Sequence, residues 1–70
     1  MTHDALNEML RRRPFIPFRV RLSSGECHDV RHPEMAMLLR SRIAIADPHM
    51  DRLAICALLN ITSVEEAQSV

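Results

Sequence analysis

The chain contains no tryptophan, no tyrosine and no lysine, and it has one glycine in 70 residues. Each shortage excludes something. A single glycine, Gly25, cannot build the glycine-rich loop that cradles a nucleotide phosphate. Two cysteines, Cys27 and Cys56, cannot build a multi-disulfide scaffold. Both are expected to behave as small buried apolar residues. No apolar run approaches the roughly 20 residues of a membrane-spanning helix. The first apolar positions are interrupted by Asp4, Asn7, Glu8 and Arg11, so no secretory leader is expected and the expected compartment is the cytoplasm. Without lysine, every fixed side-chain cation is an arginine.

Nearly half of the chain is hydrophobic (47%), enough for a core and too much for a disordered segment. The length allows one domain, residues 1–70. A domain this small is marginal without a disulfide, a metal or a partner.

Leu6, Met9 and Leu10 form one apolar stripe, which predicts a helix within residues 1–13, starting at His3. Thr2 or Asp4 can cap it, Asp4 and Glu8 suit its positive end, and Arg11, Arg12 and Arg13 suit its negative end. Pro14 stops it. Phe18-Arg19-Val20-Arg21-Leu22 then alternates strictly, predicting a half-buried strand with its arginines in water. Ser23-Ser24-Gly25-Glu26 supplies a turn, and Cys27–His32 pairs back. Pro33–Leu38 is expected as a short helical turn and Ile43–Ala46 as a strand. Asp47–Asp51 is a turn by composition. Residues 52–58 read as a strand that is apolar on both faces and therefore central or covered, although Leu53, Cys56, Ala57 and Asn60 also fit a helical stripe. Leu59-Asn60 makes a corner before a fifth strand, Ile61–Val64. Glu65–Val70 is expected as a tail with a last helical turn.

The expected architecture is mainly β (α+β), a helix followed by a five-stranded antiparallel small barrel or bent sheet over residues 18–64. The expected core is Leu6, Leu10, Phe15, Phe18, Val20, Leu22, Val30, Leu38, Ile43, Ile45, Leu53, Ile55, Leu58, Ile61 and Val64.

This order of elements resembles SH3-like small barrels, including the Sm-like group, in the Leu22-Ser23-Ser24-Gly25 turn and the region from Ile55 to Val64. More closely, Pro14-Phe15-Ile16-Pro17-Phe18-Arg19-Val20, Leu22, Gly25 and Val30-Arg31-His32-Pro33-Glu34 resemble a group of short, uncharacterised bacterial proteins over nearly the whole chain. That resemblance implies a fold and no activity. The Asp-Gly or Asn-Gly turn and the stacking aromatics of RNA-binding Sm proteins are not matched, since Gly25 follows Ser24 and no aromatic lies beyond Phe18.

The sequence offers no catalytic arrangement, so a non-enzymatic protein without cofactor is expected. Ser23-Ser24-Gly25 lacks the strand–elbow–helix setting of a nucleophile. Cys27 and His28 are adjacent on a strand and face opposite ways. His28-Asp29-Val30-Arg31-His32 superficially resembles a zinc-protease motif that works only on a helix. On a strand its histidines stand roughly 13 Å apart at about 3.3 Å per residue, so no metal site is expected within one chain. Met9, Met35, Met37 and Met50 read as core filler or adhesive surface.

Arg11, Arg12, Arg13, Arg19 and Arg21 are the most distinctive polar feature, with no acid among them. Three readings stand open: solvated or internally paired side chains, contact with another copy, or contact with nucleic-acid phosphate. The net charge of zero conceals an asymmetry. Residues 1–42 carry 8 arginines and 5 acids, and residues 43–70 carry 1 arginine and 4 acids, giving +3 and −3. The leading expectation is an interaction module that self-associates or serves as a small adaptor. The alternative is an Sm-like nucleic-acid-binding module using the arginine face. A membrane partner is not expected.

Overall fold

A computed structural model describes residues 1–66. The order of elements is helix α1 (His3–Arg11), then strands β1 (Phe18–Leu22), β2 (Cys27–Val30), β3 (Ala36–Leu38), β4 (Arg42–Asp47), β5 (Arg52–Ala57) and β6 (Ile61–Glu66). Short 3-10 turns at Pro33–Met35 and Leu58–Asn60 lead into β3 and β6. The strands form two three-stranded antiparallel sheets, β2-β1-β6 and β3-β4-β5. The described residues therefore hold six strands in two sheets, where five strands in one small barrel or bent sheet were expected; no closed barrel forms.

Local chemistry accounts for each element. The Thr2 hydroxyl accepts the Ala5 N–H at 3.2 Å and caps α1. The helix ends at Arg11, two residues before the expected end, because Arg12 is already extended ahead of Pro14. Gly25 takes φ 95°, the left-handed region that favours glycine, and closes the β1–β2 hairpin. Across that turn the Leu22 N–H donates to the Glu26 carbonyl at 2.8 Å. β2 stops at Val30, which pairs with Phe18 at the start of β1, so Arg31 and His32 have no ladder to join.

The expected helical turn over Pro33–Leu38 is too long. Proline sits at its first position, as its fixed φ favours. The turn then closes after Met35, and Ala36–Leu38 becomes β3 against β4. Residues 52–57 are strand and not helix, with Leu58–Asn60 forming the corner. Glu65 and Glu66 extend β6 where a tail was expected, and the rest of that tail lies outside the described residues.

The core lies between the sheets and under the helix. Leu6, Phe18, Val20, Val30 and Ile43 are fully buried, joined by Ile45, Cys56, Leu58 and Ile61. Phe15 leans on Phe18 with ring centroids 6.0 Å apart. Ile43 and Ile45 point inward from β4, opposite Cys56 and Ala54 of β5 and Leu38 and Ala36 of β3. This pairing overturns part of the expected core. Leu53 and Ile55 lie on the other face and are 59% and 63% exposed. β5 is an edge strand, neither central nor covered. Cys56 is buried as expected, whereas Cys27 is exposed.

Candidate functional site

The arginine face is built by the first sheet. Arg19 and Arg21 point away from the core, alternating with buried Phe18 and Val20. The register places Arg19 between Asp29 of β2 and Glu65 of β6. Arg19 Nε donates to Asp29 Oδ1 at 2.8 Å, and its Nη2 reaches Oδ2 at 3.4 Å. This hydrogen bond, opposed by partial burial and aided by the guanidinium charge, holds the Asp29 carboxyl below its ordinary range. Arg21 Nε reaches Glu65 at 3.4 Å, and Arg12 Nη1 donates to Glu66 at 3.0 Å. Arg13 turns back to the Arg12 carbonyl at 3.1 Å. Arg11 stands exposed in the last turn of α1.

Three of the five singled-out arginines are thus paired with acids of the same chain. Two of those acids, Glu65 and Glu66, belong to the negative half of the sequence. The +3 and −3 halves meet inside one molecule, because β6 folds back beside β1.

The second sheet shows the opposite surface. Its outward register sets Met37 beside Ala44 and Ala44 beside Ile55, and sets Ala46 beside Leu53 and Arg42 beside Ala57. Met37, Leu53 and Ile55 are each more than half exposed. Leu39, Met50 and Leu59 are exposed as well, Leu59 almost completely. β5 ends the sheet and leaves its outer backbone groups unpaired within it. It carries no proline and one charged residue, Arg52, at its start. Proline and repeated charge are the usual guards of a strand edge. Sequence reasoning missed this patch because it assigned Leu53 and Ile55 to the core.

A third feature is a cleft of about 370 Å³ beside β2, β4 and the β4–β5 turn, with His28, His32 and His49 among its lining residues. His28 and His32 are brought to one cleft as β2 ends. His49 joins them from a turn, and no signal in the sequence linked it to the other two. Among the described residues, no group of three or more His, Cys, Asp or Glu side chains is arranged to hold a metal ion. Among the described residues no helix is long and apolar enough to cross a membrane. Compared with known proteins, the chain matches no family model, no curated protein and no solved structure.

Proposed function

We propose that this chain is a non-enzymatic interaction module that associates with itself, built as an open relative of the SH3-like and Sm-like small barrels. One observation carries the reading: the outward face of β3-β4-β5 runs apolar from Met37 across Ala44 to Ile55 and from Ala46 to Leu53, with Arg42 at one end, and Met37, Leu53 and Ile55 are more than half exposed. Contiguous apolar surface of this kind marks an interaction site, and an unguarded edge strand invites another strand. A second copy supplies both a matching face and a matching edge through a two-fold contact. Burying that face also adds apolar area to a domain too small for an ample core of its own.

Nucleic-acid binding through the arginines has weaker support. Arg12, Arg19 and Arg21 already hold carboxylates, and a phosphate would have to displace them. We expect no retardation of RNA or DNA at low salt. Retardation lost in an Arg12, Arg19, Arg21→Ala variant would restore that alternative.

Sedimentation velocity at micromolar concentration tests the main reading. The expected result is a dimer or larger species that Leu53→Asp with Ile55→Asp converts to a folded monomer. A wild-type chain that sediments as a stable monomer overturns it.

A further inference from the structure

The histidines of the cleft come from three separate places in the chain. His28 lies in β2, His32 precedes the first 3-10 turn, and His49 lies between β4 and β5. Three of the four histidines of the protein therefore share one concavity, together with Arg19, Arg31, Asp29 and Asp47. The fixed charges cancel in number, but they are not equally available. Arg19 and Asp29 are committed to each other at 2.8 Å. Asp47 Oδ1 accepts the Met50 N–H at 3.3 Å within the β4–β5 turn. His28 Nε2 stands 3.6 Å from Glu26, a carboxylate outside the cleft lining. Arg31 is in no ion pair among the described residues, and it is exposed at the cleft, as are His32 and His49.

The charge of a wall of this kind depends on the protonation of its imidazoles. With neutral imidazoles the fixed charges balance. Histidine side chains as a class take up a proton between pH 8 and 5, and each proton gained here adds one positive charge to the wall. The guanidinium supplies a planar fork suited to two oxygens of one anion. Arg31, His32 and His49 line one cleft and are all exposed there.

We propose that this cleft binds a tetrahedral oxyanion, of the phosphate or sulfate class, between Arg31, His32 and His49, and that binding strengthens on acidification. The site does not rest on self-association, since Arg31 and His32 follow β2 and His49 lies in the β4–β5 turn, none of them within the strands of the apolar face.

Inorganic sulfate is the appropriate probe, because its own charge stays constant across the pH range used. Side-chain and amide NMR shifts of the full chain are followed as sodium sulfate is added, against sodium chloride of equal ionic strength. The expected result is saturable shifts at His32 and His49, with affinity at pH 5.5 at least tenfold above that at pH 8. Arg31→Gln is expected to weaken binding at pH 5.5 at least tenfold, and His49→Gln to flatten the pH dependence. Both positions are exposed, so both variants should keep the wild-type fold. Shifts reproduced by chloride would mean an adventitious ion only and would overturn the site. Equal affinity at both pH values, or affinity unchanged by Arg31→Gln, would overturn it as well.

Discussion

The two sheets of this domain are nearly equal in size and opposite in surface. Both bury branched aliphatics inward: Val20 and Val30 in one, Ile43 and Ile45 in the other. Outward, the first presents arginines matched by carboxylates, while the second presents Met37, Leu53 and Ile55 with nothing over them. A surface whose charges are already neutralised from neighbouring strands has little left to offer a partner. A surface of bare side chains gains from any partner that removes it from water. Three of the five clustered arginines, the most conspicuous feature of the sequence, are thus spent internally, while the large apolar residues Leu53 and Ile55 of β5 face outward.

Ile45 and Ile55 put one residue type on the two faces of the same sheet. Ile45→Ala removes a fully packed side chain and is expected to cost about 2–5 kcal/mol. Ile55→Ala removes an exposed one and is expected to change the stability of the monomer by no more than about 0.5 kcal/mol. Chemical denaturation at a concentration low enough to dissociate any assembly measures both. Equal costs would show that the two faces of β4-β5 do not differ as described.

The cysteines make the same comparison chemically, one in each sheet. Burial, with a contribution from the Glu26 charge, pushes the Cys56 thiol above its ordinary range, whereas Cys27 is exposed. A thiol reagent at pH 8 is expected to modify Cys27 at least tenfold faster than Cys56 in the folded chain. Denaturant should abolish the difference, and mass spectrometry of the digested protein assigns the sites.

The smallest expected effect lies in the charged sheet. The carboxyl of Asp29 ionises more readily in the folded chain than in the unfolded one, so its pairing stabilises the fold above the unfolded carboxylate range, near pH 4. That contribution fades as pH falls through the lower folded value. Asp29→Asn should therefore be less stable than wild type at pH 7, and the gap should close below about pH 4. A gap that persists at pH 2–3 would assign the loss to packing and not to charge.

Much of the first sheet was legible because its information is local. Strict alternation over Phe18–Leu22 and a glycine at the turn specify a hairpin without reference to anything distant. The 3-10 turn at Pro33 hid β3, since the short Ala36–Leu38 segment pairs only where β4 offers an edge. β5 was misread in its faces because both are apolar. Which one turns inward is settled by Ile43 and Ile45 of β4, whose bulk leaves room opposite for Ala54 and Cys56 and not for Leu53 and Ile55. The arginine cluster was visible, but its neutralisation was not. Glu65 and Glu66 read as the start of a tail until their strand is laid beside β1.

That long-range pairing has a consequence for the order of events as the protein is made. β1 needs β6 on one side, and β6 leaves the ribosome after every other strand described here. The β3-β4-β5 meander is wired through near neighbours and can assemble earlier, since loop closure favours local pairings. During that interval β1 lacks its neighbour on one side, while Leu53 and Ile55 are bare as they remain in the finished fold. The inner face of β4 packs on β2, which precedes it in the chain, so the sheet that waits longest for completion is the first one and not the second.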